Sequence, residues 1–426
     1  QISKHNKVIS SINELIKNHE NFEKNRYELE YDVDGLVYKI NDLQLQERLG
    51  FVGNAPRWAA AHKFSAASSF SKILKIEIQL GRTGALTPVA KVEPVNIGGV
   101  VVSNATLHNE DEINKKDIRI GDIVKIERAG DVIPHVVSVD IKKRSPKTEK
   151  YKFPNKCPSC GSLVEKEFNK QTKKYDAVKR CSSEGYKCEK IVIEKIKHFV
   201  SKDALNIDGL GKKVIEKFWE KGFLRFPQDI FKLDYKKIEN LEGWGSQSVS
   251  NLKYSIEKSK DISFNKFIFA LGIRHIGQEN AKLIAKHLQK KEKFINIDKN
   301  FDFNSFINID GIGEIQISSI KKFFSIKENL TVVKELSFYL NIKNEVINNS
   351  GKLKNLSFMI TGKLQSISRA EIKSIIEKNS GKILSSVSKK LDYLIVGDKP
   401  TTKKVNQAKE LDVKLLNQNE LDKLLN

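Results

Sequence analysis

The sequence predicts a multidomain α+β chain, and three observations predict it. Short strand patterns with frequent glycine fill residues 76 to about 143. All four cysteines fall close together, as CPSC and then CSSEGYKC. Beyond them, a hydrophobe between or beside glycines recurs four times, each time ahead of an amphipathic helical pattern. With 426 residues the chain is long enough for several domains, each with its own core. Its formal net charge of +22, from 75 Lys+Arg against 53 Asp+Glu, favours a polyanionic partner. The many Asn, Ile and Lys residues make compositional bias a second source of that charge. No apolar run approaches a membrane span, no charged-then-apolar leader appears, and the sequence begins with Gln1. Clustered cysteines suit a reducing compartment better than a disulfide framework, so a soluble intracellular protein is expected.

Residues 1 to about 25 read as one amphipathic helix, with Val8, Ile12, Leu15 and Ile16 at helical spacing. Residues 26–64 hold two strand patterns, DGLVYK and PRWAAAHKF, that deliver Lys39 and Lys63 from apolar surroundings, joined through the helical-looking LQLQERLG. Alternation places Lys63 on a face of small residues with Ala59 and Ala61, opposite Trp58, His62 and Phe64. Val37 shares a face with Lys39. Asp34 has the opposite parity to Lys39, so a bulge or sharp twist at Gly35 is expected to bring it round. One carboxylate and two lysines converging on a cleft suit a phosphate plus a divalent cation. Two ordinary strands with snorkelling lysines would give the same pattern, and the residues alone leave both readings open.

The short strands from 76 to about 143 suggest a small barrel of the oligonucleotide-binding (OB-fold) type. Arg82, Thr83 and Arg128 sit beside glycines, where backbone can approach a phosphate or a groove floor. Val132 and Ile133 would add apolar atoms next to Arg128. Any one such arginine could equally solvate a turn; several in one barrel favour binding. Cys157, Cys160, Cys181 and Cys188 form a CxxC knuckle plus a wider pair, as in a closed tetrahedral four-thiolate zinc site. A redox CxxC is the rival, but Pro158 and Gly161 fit a zinc knuckle turn.

From 191 to about 344 the pieces NIDGLGKKVIEKF, LEGWGSQSVSNL, LGIRHIGQENAKLIA and IDGIGEIQISSI show the helix-hairpin-helix pattern. Gly209, Gly211, Gly243, Gly245, Gly277, Gly311 and Gly313 would let amides at a helix start face a phosphate oxygen. Four regular copies predict duplex binding through backbone phosphates without sequence reading. The third copy, GIRHIG, departs from the short G-x-G form. After a polar linker, NLSFMITGKL, a helix from 369 to about 379, GKILSSVSKKLDYLIVG and a last amphipathic stretch read as strand, helix, strand, strand, helix, a compact α/β module.

DGLVYK followed by PRWAAAHKF resembles the fourth and fifth nucleotidyltransferase motifs of bacterial NAD-dependent DNA ligases. The resemblance continues through GRTGALTPVA, VVVSNATLHN, IRIGDIVKIERAGDVIP and CPSCGS, and covers essentially all of the chain. It implies the end of an adenylation domain (1–75), an OB-fold (76–150), a four-cysteine zinc finger (151–190), a helix-hairpin-helix domain (191–345) and a BRCT domain (350–426). It implies NAD as adenylyl donor, Mg²⁺ (or Mn²⁺) and structural Zn²⁺, with nicked duplex DNA as partner, acting as a monomer in the bacterial cytosol at the nucleoid. On that resemblance Lys39 and Lys63 neutralise the adenylyl phosphate, Asp34 helps hold Mg²⁺, and Arg26 lies near the AMP or the nick. Arg82, Thr83, Arg128, Val132 and Ile133 match positions that touch the duplex through its minor groove. Thr361, Gly362 and Lys404 match a phosphate site of some BRCT domains, although Thr402 stands where a glycine is expected and the later Leu-Gly pair reads Leu411–Asp412. The sequence has no Lys-x-Asp-Gly, the family's nucleophile motif, and lacks the domain that grips nicotinamide mononucleotide, so a ligase without its front half is expected. The competing class is a non-catalytic DNA-binding scaffold, which has no use for Asp34, Lys39 and Lys63. A repair nuclease is weaker still, because no carboxylate cluster suits two metals.

Overall fold

The computed structural model describes residues 4–31, 33–52, 55–128, 133–169, 172–298, 300–309, 311–345, 351–364, 369–384, 386–388 and 391–425. Two units, Gln1–Glu194 and Lys195–Asn426, divide the chain and are taken separately.

The first unit opens with α1 (Ile12–Asn25), which starts where the Ser11 side chain accepts from the Glu14 amide. The helix is therefore shorter than the 25 residues expected. Val8, Ile12 and Ile16 are exposed, so the apolar spacing marks a surface and not a buried stripe. The packed face of α1 carries His19, which is buried and stacks on His62 with ring centroids 3.6 Å apart. Next come β1 (Gly35–Lys39) and α2 (Leu43–Leu49), which is capped by Asp42. They are followed by the short pair β2 (Phe51–Val52) and β3 (Ala55–Pro56), and then β4 (Ala59–Lys63). Strands β1 and β4 pair antiparallel with no register shift, from Gly35 opposite Lys63 to Lys39 opposite Ala59. The expected bulge at Gly35 is absent. Glycine is needed there for a different reason: a Cβ would lie 2.5 Å from the His62 carbonyl oxygen.

Strands β5 (Ala67–Leu80), β6 (Leu86–Ile97) and β7 (Val100–Thr106), helix α3 (Glu110–Lys116), and strands β8 (Ile123–Arg128) and β9 (His135–Val139) follow. The strands close into a barrel in the order β5-β6-β7-β9-β8. The barrel begins at Ala67, earlier than the expected start at 76. Strand β5 is long and shared: residues 67–72 pair with β8, and residues 73–80 pair with β6 across a register shift after Ile73. That one bent strand closes the barrel, and the bulge supplies the bend. Ile73, Leu107, Val124 and Ile126 fill the interior, each stabilising the fold by about 1.5–3 kcal/mol on burial.

A hairpin of β10 (Val164–Asn169) and β11 (Lys174–Cys181) then leads to α4 (Glu189–Val200). In the second unit four helical hairpins run through α5 (Lys212–Glu220), α6 (Tyr235–Glu239), α7 (Ser246–Ser259), β12 (Asp261–Ser263), α8 (Phe264–Ala270), α9 (Gln278–Leu288), α10 (Lys291–Ile295), α11 (Glu314–Ser325), α12 (Lys327–Tyr339) and β13 (Asn341–Lys343). A parallel pairing of β12 with β13 ties the middle of this stretch to its end. The terminal module contains β14 (Ser357–Thr361), α13 (Arg369–Lys378), β15 (Lys382–Ile383), β16 (Tyr393–Val396), α14 (Thr402–Glu410), β17 (Lys414–Leu416) and α15 (Gln418–Leu425). Its sheet is parallel, in the order β15-β14-β16-β17. The last stretch, expected as a single helix, is split into helix, strand and helix. Asp412 turns left-handed at φ 54° after α14, and buried Val413 leads into β17.

Candidate functional site

The in-register pairing of β1 with β4 puts Lys39, Val37, Ala59, Ala61 and Lys63 on one face, and His62 and Leu36 on the other. Lys63 Nζ donates to Asp34 Oδ2, and both side chains are about half exposed. Asp34 lies one residue before β1, so strand alternation does not bind its side chain and no bulge is required. An ion pair this exposed contributes only ~0–1 kcal/mol, so either partner can exchange it for a ligand at little cost. Lys39 sits at the far end of the same face, four positions along, about 13 Å at the usual strand rise. Among the described residues it has no ion pair. The face is open, with Val37 61% exposed, so the expected cleft is a flat shelf in this chain. On the opposite face α1 packs through His19, which stacks on His62. Arg26 lies against Phe64, its guanidinium carbon 5.9 Å from the ring centroid, next to His19. Phe64 is buried against His19, which stacks on His62, so Arg26 packs on the His62 side of the strand pair and not with the two lysines.

The four cysteine sulfurs lie within 4.8 Å of one another. Cys160 is 3.5 Å from Cys181, and Cys157 is 3.9 Å from Cys188. Sulfurs about 2.3 Å from a central zinc form a tetrahedron with edges of about 3.8 Å, so the donor set and its spacing fit Zn²⁺. All four are free thiols. Burial pushes the Cys181 and Cys188 thiols up, which disfavours thiolates here unless a cation compensates them. Four protein ligands leave no open position, so such a metal would hold the fold and take no part in chemistry.

On the barrel, Arg82 is partly buried and desolvation lowers its pKa. Thr83 Oγ1 accepts from Arg180 at 3.2 Å, and the Gly84 carbonyl accepts from the Cys181 amide. The turn at residues 81–84 thus docks the strand carrying the third cysteine onto the barrel, a use of Thr83 that sequence reasoning missed. Arg128 ends β8 opposite Ala67, and Ile133 is exposed. Val132 lies outside the described residues.

The four hairpins share one geometry. Gly209, Gly243 and Gly311 are left-handed at φ 90°, 83° and 92°, each two residues before the glycine that precedes a helix. Gly211, Gly245, Gly277 and Gly313 are the N-cap residues of α5, α7, α9 and α11. A Cβ at Gly211, Gly245 or Gly277 would meet nothing within 4 Å, which leaves room at the helix start for a ligand oxygen. In the third copy His275 takes the left-handed position at φ 62°, so GIRHIG folds like its neighbours. Counting back two residues from Gly277 would have found it. In the terminal module Thr361 is buried and its hydroxyl accepts from the Thr401 amide at 3.2 Å, so that hydroxyl already serves the start of α14.

Comparison with known proteins matches residues 1–67 to the NAD-dependent DNA ligase adenylation domain and 70–149 to the NAD-dependent DNA ligase OB-fold domain. It also matches 266–333 to the helix-hairpin-helix motif and 348–425 to the BRCA1 C Terminus (BRCT) domain. A DNA ligase of Pelagibacter ubique (strain HTCC1062) is 64% identical over 422 residues, covering 99% of this chain and 62% of that protein. The chain carries adenylation and OB-fold domains of the NAD-dependent DNA ligase family. DNA ligases of Wolbachia pipientis wMel and Rickettsia bellii (strain OSU 85-389) are 44% and 42% identical, over 100% and 97% of this chain. The chain spans 61–64% of the length of these ligases. Among the described residues no helix is long and apolar enough to cross a membrane.

Proposed function

We propose that this chain holds a nicked DNA duplex and handles the adenylated 5′-phosphate during nick sealing, as a monomer in the bacterial cytosol at the nucleoid. NAD is the source of the adenylyl group. Lys39 and Lys63, on one shelf of small residues, neutralise phosphate charge as it develops, and Asp34 helps hold a Mg²⁺ ion. In the sealing step the 3′-hydroxyl oxygen bonds to the 5′-phosphorus, the bond from that phosphorus to AMP breaks, and the hydroxyl proton leaves to solvent. The barrel and the four helix starts grip the duplex backbone and align the two ends, with Arg82, Arg128 and Ile133 on the barrel side. What supports this reading most is the 64% identity to a DNA ligase, which runs through the strand pair carrying both lysines. A scaffold without catalysis accounts for the hairpins but not for that pair.

The chain contains no Lys-x-Asp-Gly. With labelled NAD it should keep no label after denaturation, yet it should bind nicked duplex with an affinity that drops steeply as salt rises. Given a nick that already carries AMP, plus Mg²⁺, it should seal it. Lys39→Ala or Lys63→Ala should slow that sealing by about 10²–10³-fold with binding intact. Equal sealing by the lysine variants would remove the catalytic half of the proposal, and failure to bind the nick would remove the whole.

A further inference from the structure

The β10–β11 hairpin ends in features that neither the cysteine cluster nor the barrel uses. Its base is anchored, with Val164 opposite Cys181 inside the apolar core around the cysteines. Its middle is tied to α3 by Lys166 with Asp111 at 2.6 Å and by Lys179 with Glu110 at 2.9 Å. Past those ties Phe168 and Tyr175 meet across the two strands, edge to face, with ring centroids 5.1 Å apart. They are 51% and 68% exposed, and neither ring joins the core around the cysteines. The sequence they bracket, FNKQTKKY, has three lysines and no acidic residue. Lys173 and Lys174 are exposed and, among the described residues, form no ion pair. The two lysines nearer the base are paired with α3, so among the described residues the hairpin lysines without an ion pair are Lys173 and Lys174, at its tip end and next in sequence to Tyr175.

A cross-strand aromatic pair steadies a hairpin by itself. That role requires neither open ring faces nor free cations beside them. We propose that this tip is a DNA contact: Phe168 and Tyr175 pack against the sugar and base surface of a strand while Lys173 and Lys174 reach its phosphates. Charge complementarity selects the occupant, since aromatic rings interleaved with lysines match a polyanion that carries flat apolar surfaces. The inference rests on the reading that the chain engages nicked duplex, and it adds to the hairpin and barrel contacts a third grip from the zinc-finger stretch.

Two variants of the full chain separate ring contact from charge. Phe168→Ala/Tyr175→Ala should weaken binding of nicked duplex by roughly five-fold or more, with the salt slope unchanged. Lys173→Ala/Lys174→Ala should lower the slope of log K against log salt by about 1.8, two phosphate contacts at about 0.9 each. Phe168→Tyr/Tyr175→Phe keeps both rings and should restore wild-type affinity, which a mere loss of folding would not explain. A Phe168→Trp reporter should change its emission when DNA is added, measured against the unsubstituted chain. If the wild-type chain binds nicked duplex and both alanine pairs match it in affinity and slope, this inference is wrong and the proposed function stands. If the wild-type chain does not bind, both fall together.

Discussion

At position 122 a carboxylate is fully buried in the barrel, which is tolerable only because its neighbours satisfy it. Arg144 donates to Asp122 from Nε at 2.8 Å and from a terminal nitrogen at 2.9 Å, and the Arg119 amide donates at 2.7 Å. Arg144→Ala leaves that charge unpaired and should cost about 3–5 kcal/mol in denaturant unfolding. Arg144→Met with Asp122→Leu should recover much of the loss, and a single variant that unfolds like wild type would deny the pair its role. Beside it, side-chain hydrogen bonds from Arg119 and then Arg144 lower the Asp117 pKa to about 2. A carboxyl depressed by folding adds stability above its unfolded pKa, near 4, and loses that contribution as pH falls toward 2. The melting temperature should therefore be flat from pH 7 to 5 on this account and decline below about 4, with a smaller decline in Arg119→Ala. Asp117, Arg119 and Asp122 are near neighbours in sequence, but nothing in the residue order marks Arg144, 22 residues beyond Asp122, as their partner. The Lys63–Asp34 contact had a sequence signal in its motif, but the supposed bulge came from extending strand parity one residue too far.

Among the elements, the helix starts were the most legible, since a left-handed residue, a hydrophobe and a glycine recur in sequence with fixed spacing. The structure adds that the N-cap glycines Gly211, Gly245 and Gly277 face open space. Gly211→Asp, Gly245→Asp or Gly277→Asp should therefore fold at least as well as wild type, because aspartate is the better N-cap by a few tenths of a kcal/mol. The same change places a carboxylate where a phosphate is proposed to sit, so nicked-duplex binding should drop several-fold at unchanged melting temperature. Lost stability with unchanged binding would contradict both halves. The cysteine module gives a second test at this scale. Strong chelation should collapse residues 157–188, seen as loss of amide protection confined to that stretch, and an unchanged exchange pattern would deny the metal a structural role. Helix α1 shows why amphipathic spacing misleads: a periodic apolar stripe says that a face exists, not that described residues cover it. Val8 and Ile12 are more than 70% exposed.

Across the whole molecule, the sequence by itself determined the kinds and order of modules: strand pair, barrel, cysteine cluster, helical hairpins and α/β module. Each is announced by local signals such as glycine spacing, residue period and cysteine placement, which survive without knowledge of distant contacts. The family resemblance was legible for the same reason, since long motifs are themselves local, and the comparisons agree along nearly the entire chain. Only the tertiary structure decided that the barrel begins at Ala67, that Thr83 serves Arg180, and that Phe168 and Tyr175 stand open beyond the α3 ion pairs. These depend on partners up to 97 residues apart in sequence, as Thr83 and Arg180 are, and pairing over such distances is set by barrel closure and burial that no local pattern encodes.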